Sequence, residues 1–210
     1  MRSVSVVSFD LDGTLVTREY VDYFWLELVP RLYAERHSLG LEEAKRIVYA
    51  SYDEVGPGDV RWYMPGYWFR RFGIEDRLED ALREAAERIR PYPDALEVVE
   101  LLRGRCTLVI CTSAAREFVN LVLSRIPLYR SSFKHVFSSS SDFGFPGKPP
   151  AFFQRVSELL GVSPQEILHV GDDEENDFAN ARRAGVKAVY VDRGSGESLR
   201  EVLERELGDP

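Results

Sequence analysis

Apolar positions along the chain follow two different periods. Val4 to Phe9 is a short valine-rich run, the pattern of a strand buried on both faces. From about Tyr20 to Arg90 the spacing becomes helical. Val21, Phe24, Trp25 and Leu28 fall at i, i+3, i+4 and i+7, and Leu78, Leu82, Ala85, Ala86 and Ile89 repeat that spacing. Between them Leu41, Ala44 and Val48 mark a second helix and Trp62 to Phe72 a third, with breaks at Gly56-Pro57-Gly58 and Gly73. The block predicts a bundle of about four helices. Pro91-Tyr92-Pro93-Asp94 then stops the fourth helix and caps another, with Leu96, Val99 and Leu102 on one side. Beyond it, Thr107 to Cys111, His135 to Phe137, Ile167 to Val170 and Ala188 to Val191 read as short buried strands. Ala151 to Leu160 and Phe178 to Ala184 read as helices between the later ones, and Leu199 to Leu207 as a last helix.

Strands alternating with helices imply an α/β fold with a parallel sheet and right-handed crossovers. The expected core comprises residues 1–17 and 91–210, and residues 18–90 form an inserted all-helical domain. The chain crosses between the two near Val16 to Glu19 and near Arg90 to Asp94, where hinges are expected. Ser138 to Ser141 is the one low-complexity patch, too short for a linker.

Charge and composition narrow the function. The 27 basic residues against 35 acidic ones give −8, which disfavours nucleic-acid binding, since that affinity rests on clustered cations. No apolar run approaches the roughly 18 residues of a membrane span, and no apolar segment of signal-peptide length follows Arg2. Cys106 and Cys111 are not spaced as a CxxC pair and read as buried thiols without a disulfide, in a cytoplasmic protein. Only Lys45, Lys134, Lys148 and Lys187 are lysines, leaving 23 arginines among the 27 basic residues. With two Met and two Cys, this fits a heat-adapted source as well as a coding bias.

Ligands of an open parallel sheet bind beyond the carboxyl ends of its strands, and chemically capable residues collect there. The first strand is followed by Asp10-Leu11-Asp12-Gly13-Thr14, the second by Thr112-Ser113, the third by a Gly-rich loop carrying Lys148. Asp172-Asp173-Glu174-Glu175-Asn176-Asp177 lies past the fourth. An acidic run is ordinarily a solvated turn. Placed beside Asp10 and Asp12, this one calls for a hard divalent cation, and Mg²⁺ suits it best. Asp10 and Asp12, two apart in an extended segment, can both address one bound group. A carboxylate nucleophile beside a carboxylate that gives and takes a proton is what making and hydrolysing an acyl phosphate requires. Thr112 and the N–H groups opening the next helix suggest an anion site, to which Lys148 adds positive charge while holding Asp10 in place.

In this order the residues resemble the haloacid dehalogenase superfamily. Phe9-Asp10-Leu11-Asp12-Gly13-Thr14-Leu15 is similar to its first motif and Leu108-Val109-Ile110-Cys111-Thr112 to its second. Gly147-Lys148-Pro149 is similar to its third, and His169-Val170-Gly171-Asp172 to Asn176-Asp177 to its fourth. The resemblance covers about Val4 to Asp192. It implies a Rossmann-like three-layer core, with the helical insert as an α-helical cap between the first and second motifs. It implies that Asp10 attacks phosphorus to form an aspartyl-phosphate. Asp12 would protonate the leaving alcohol and then deprotonate the hydrolytic water. Gly13, Thr112, Ser113 and Lys148 are the implied phosphate-binding residues. Mg²⁺ would be held by Asp10, the Asp12 carbonyl and Asp172, with Asp177 behind them orienting Lys148 or a metal-bound water. Whether Asp173 shares the Asp172 role stays open. The second-motif hydroxyl is assigned to Thr112, with Ser113 as the alternative if the strand runs one residue further.

Position 12 separates reactions. The family's dehalogenases work without Mg²⁺ and do not keep an Asp there, so the resemblance implies a Mg²⁺-dependent phosphatase acting on a small phosphorylated metabolite. A phosphomutase and a non-turnover phospho-acceptor or metal-binding module are the alternatives. The insert should select the substrate. It carries Tyr23, Phe24, Trp25, Trp62, Tyr63, Trp68 and Phe69 with Arg70 and Arg71 beside them, most of these rings serving as core.

Overall fold

The computed structural model describes residues 4–207; residues 1–3 and 208–210 of the expected core, Arg2 among them, lie outside the described residues. Five strands form one parallel sheet: β1 (Val6–Phe9), β2 (Thr107–Thr112), β3 (His135–Ser138), β4 (Ile167–Gly171) and β5 (Lys187–Tyr190), in the order β3-β2-β1-β4-β5. Side-chain alternation sends Val7, Phe9, Leu108, Ile110, Leu168 and Val170 to one face. There they pack under the helices Pro93–Leu102, Arg116–Arg125, Pro127–Ser132 and Leu199–Leu207. Val6, Val109, Cys111 and Ile167 face the other way, against Pro150–Leu160 and Asn180–Arg183. The result is the Rossmann-like three-layer α/β core. Cys111 is buried, its thiol pushed up to about 12 by burial, whereas Cys106 is only half-buried; both are unpaired.

The helical insert departs from even periodicity where proline interrupts it. Helical segments Glu19–Tyr23, Phe24–Leu28 and Val29–His37 follow one another as one rod. Pro30 has no N–H for the Leu26 carbonyl, and the middle segment widens so that Val29 N–H bonds Phe24. The displaced carbonyls find hydroxyls on the next helix, Leu41–Val55: Tyr49 donates to Leu26 (2.5 Å) and Tyr52 to Trp25 (3.2 Å). The expected third helix, Trp62 to Phe72, is two pieces, a tight turn Val60–Tyr63 and the helix Pro65–Arg71. Met64 before Pro65 is driven extended (φ −100°, ψ 105°). The fourth ends at Ala86, not near Arg90.

Two corrections fall in the core. Asp94 does not cap its own helix. Its carboxylate accepts from Arg193 Nη1 (2.6 Å) and from the Leu199 N–H (2.7 Å), docking the last helix. The segment Phe178 to Ala184 is not one helix but a wide turn, Glu174–Ala179, running into Asn180–Arg183. The serine patch forms the short helix Ser139–Phe143. Ser138 Oγ accepts from Ser141 N–H (3.1 Å) and donates to the Ala114 carbonyl (2.7 Å), which supports the loop after β2.

The insert leaves and rejoins the core through two paired segments. Thr17 N–H donates to Arg90 (2.8 Å) and Tyr92 N–H to Leu15 (3.1 Å). Tyr129 Oη (2.9 Å, to the Leu15 carbonyl) and Arg193 Nη2 (2.7 Å, to the Thr14 carbonyl) anchor that neck to the core. Phe118, on a core helix, meets Tyr20, Phe24 and Trp25 edge-on with centroids 6.0, 5.0 and 5.8 Å away, so one apolar cluster runs through both parts.

Replacing Asp94 by Ala leaves the Leu199 N–H and part of the Arg193 guanidinium unanswered, at an expected cost of about 1–3 kcal/mol. Thermal melts should fall by roughly 2–4 °C per kcal/mol for a chain of this size; an unchanged midpoint would refute the docking role.

Candidate active site

Asp10 leaves the sheet directly after β1, its N–H donated to the Val170 carbonyl (2.9 Å). The Lys148 side chain, 2% exposed, reaches it from the loop before Pro150–Leu160. There the ammonium pairs with both Asp10 Oδ1 and Asp177 Oδ1. Both oxygens of Asp177 are engaged: Oδ1 also accepts from His169 Nε2 (2.8 Å) and Oδ2 from the Asp173 N–H (3.0 Å). Because a carboxylate only accepts, His169 carries its proton on Nε2, and its Nδ1 accepts from Ser8 Oγ (2.9 Å). Burial lowers the His169 pKa, keeping the ring neutral near pH 7. Asn176 completes the support, its Oδ1 accepting the Lys148 N–H (2.8 Å).

Two glycines allow the close approach. Gly13 has φ +89°, and a Cβ there would stand 2.1 Å from Asp172 Oδ2; one on Gly171 would stand 2.2 Å from Asp177 Cγ. Thr14 Oγ1 donates to Asp172 Oδ1 (3.0 Å), and Arg18 Nη1 lies 4.0 Å from its Oδ2.

The Asp12 carboxylate does not close its own turn. It accepts from Tyr20 Oη (2.5 Å), a fully buried hydroxyl on the first turn of the insert. Burial pushes Asp12 up to about 6 despite that bond. Burial likewise raises Asp10 well above its ordinary value, with Lys148 opposing and Asp177 and Asp172 adding. Asp172 rises through burial and then Asp177. At Asp177 burial is outweighed by Lys148 and His169, leaving it at about 2.

Asp10, Asp172 and Asp177 each bring one oxygen within 4.8 Å of the others. This all-oxygen set fits a hard divalent cation. Asp177 is the most engaged of the three, so Asp10 Oδ2 and the Asp172 carboxylate are the more accessible donors. The rest of the acidic run turns elsewhere. Asp173 caps its turn, Oδ1 accepting from the N–H groups of Glu175 (3.0 Å) and Asn176 (2.7 Å), and Glu175 pairs with Arg183 (2.5 Å).

β2 runs one residue beyond its apolar stretch, to Thr112, whose Oγ1 accepts from Ala114 N–H (3.1 Å) and keeps its own proton to donate. Thr112 is not a helix cap: the next helix starts at Arg116 behind Ala115, and the Arg116 N–H is taken by Ser141 Oγ (3.0 Å). That donor is therefore lost to the expected anion cradle. Ser113, half-buried, lines the same cavity as Thr112. The cavity, about 230 Å³, lies between sheet edge and insert and also admits Asp10, Asp12, Lys148 and Asp172. Tyr20, Thr14, Arg18, His169 and Asn176 were not singled out by sequence reasoning. Thr14, His169 and Asn176 stand inside the motif segments without a role of their own, and His169 is in addition a polar residue inside an apolar strand.

A parallel α/β core with an acid-lined carboxyl edge and a helical roof defines a hydrolase of the haloacid dehalogenase type. The model of the haloacid dehalogenase-like hydrolases matches residues 4–185, and the chain belongs to that family of enzymes. It is 24% identical to the GMP/IMP nucleotidase YrfG of Escherichia coli (strain K12) over 173 residues, covering 82% of this chain and 76% of the relative. It is 34% identical to the phosphoserine phosphatase of Thermus thermophilus over 144 residues, 60% of this chain and 55% of that one. The crystal structure of a HAD phosphatase from Thermococcus onnurineus shares the fold, with a TM-score of 0.80 over 97% of this chain and 98% of that one at 24% identity. No helix among the described residues is long and apolar enough to cross a membrane.

Replacing Lys148 by Met strands two buried carboxylates, at an expected cost of about 3–5 kcal/mol. The Asp177 carboxyl, at about 2 in the fold, lies below its usual value of about 3.9. Its contribution is therefore present above about pH 4 and lost as pH falls toward 2. Melts in chelator should show the gap between wild type and variant widest near neutrality and narrowing in acid; a pH-independent gap would refute this.

Proposed function

We propose that the enzyme is a phosphatase that hydrolyses small phosphate monoesters through an aspartyl-phosphate on Asp10. The observation that carries this reading is the pair of carboxylates opening on one cavity: Asp10 fixed by Lys148, and Asp12 held by Tyr20. An Asp10 oxygen attacks phosphorus as the ester P–O bond breaks, and Asp12 gives its proton to the departing alkoxide. Asp12 then takes a proton from water, whose oxygen displaces Asp10 and releases phosphate. Asp12, pushed toward neutral pH by burial, suits both transfers. Thr112, Ser113, Lys148 and the turn at Gly13 hold the phosphoryl oxygens, and Asp177 orients Lys148. Mg²⁺, on Asp10, Asp172 and the Asp12 carbonyl, would supply positive charge against the repulsion between nucleophile and phosphate. Asp173, engaged as a cap, supports Asp177 through its N–H. The phosphatase names among the relatives favour the same reading. Residues 18–90 act as the cap that closes the site.

A phosphate-release screen over monoesters, with and without Mg²⁺, tests it. Release should require the ion, vanish in Asp10→Asn and fall by about 10²–10⁴-fold in Asp12→Asn. No release from any ester, a generic aryl phosphate included, would sink the reading.

A further inference from the structure

The cavity's walls are unequal in chemistry. Among the described residues, its cations are Lys148 and Arg18. Lys148 is already answered by Asp10 and Asp177. Arg18, on the insert side, faces Asp172 at 4.0 Å, and Asp22, one turn along, also stabilises its charge. Asp22 lines the same cavity, so its carboxylate faces whatever enters beside Arg18. The cavity thus has a place for one phosphoryl group, and an added carboxylate or phosphate would meet the Asp22 carboxylate on its wall.

The rest of the insert side is apolar, formed by Trp25, Leu26, Tyr52 and Trp62 with Phe118 of the core beside them. Leu26 (47% exposed) and Trp62 (38%) are among the most exposed large apolar side chains of the described residues, and both open on this cavity. Such surface is left bare at a cost that an apolar ligand removes.

We propose that the preferred substrates are phosphate monoesters whose leaving group is uncharged and carries an apolar ring, and that esters with a second anionic group are discriminated against. This rests on the phosphatase reading above. Trp62 and Leu26 cover the ring, while Asp22, on the cavity wall, acts against the second anion by repulsion.

The test compares kcat/KM for benzyl phosphate, glycerol 1-phosphate and 2-phosphoglycolate, three alkyl esters differing chiefly in the body of the leaving group. Benzyl phosphate should exceed glycerol 1-phosphate, and that in turn 2-phosphoglycolate, each by about 10-fold or more. Trp62→Ala should shrink the ratio of benzyl phosphate to glycerol 1-phosphate, chiefly through KM. Asp22→Asn should raise the ratio of 2-phosphoglycolate to glycerol 1-phosphate. Turnover of all three at similar kcat/KM, or a preference for 2-phosphoglycolate, overturns the inference and leaves the phosphatase reading standing. Ratios unmoved by both variants also overturn it. No release from any of the three overturns the inference, and if the generic aryl phosphate is not hydrolysed either, the phosphatase reading falls with it.

Discussion

The Lys148 ammonium, buried at the floor of the cavity between Asp10 and Asp177, is the constraint around which this molecule is arranged. A buried charge is tolerable only when fully answered, and answering it recruits elements far apart in sequence. Asp10 comes from the end of β1 and Asp177 from the turn after β4. His169 and Ser8 hold Asp177 from below as register partners on those same two strands. The chain Ser8, His169, Asp177, Lys148, Asp10 therefore returns to the strand on which it began. A shift of β1 against β4 by one residue would place Ser8 and His169 on opposite faces and break the circuit.

The second constraint joins this circuit to the insert. Tyr20 occupies the first helical turn beyond the neck, donates to Asp12 and packs edge-on against Phe118. Phe118 carries Phe24 and Trp25 as well, so the residues that roof the cavity share one apolar cluster with those that line its floor. Position and polarity of Asp12 thus depend on how the insert sits.

Much of this was legible in the chain because catalysis-capable residues directly follow apolar runs. Asp10, Thr112 and Asp172 stand at or just past strand ends, and a parallel sheet gathers such ends along one edge. Lys148 stood out as one lysine among few. What the sequence concealed has a common cause, partners remote along the chain. Tyr20 reads as one more aromatic of a bundle. Asp94 looks like a local cap, yet its partners are Arg193 and Leu199. The serine patch looks featureless, yet Ser138 and Ser140 donate to the carbonyls of Ala114 and Ser113 beside the cavity. In the acidic run, five carboxylates are indistinguishable by composition. Folding points Asp172 and Asp177 inward, turns Asp173 into a cap and leaves Glu174 and Glu175 to solvent.

The neck has a consequence for how such a molecule can be assembled. Because Thr17 and Arg90 are joined by a hydrogen bond, everything between them begins and ends at one point on the core surface. The length of the insert is therefore not set by any strand connection, because the neck closes before the chain re-enters the sheet. What binds the insert to the core is adhesive rather than topological: without its apolar face on Phe118 the core would keep a bare patch that binds whatever meets it, and without Tyr20 the Asp12 carboxylate would lose its donor.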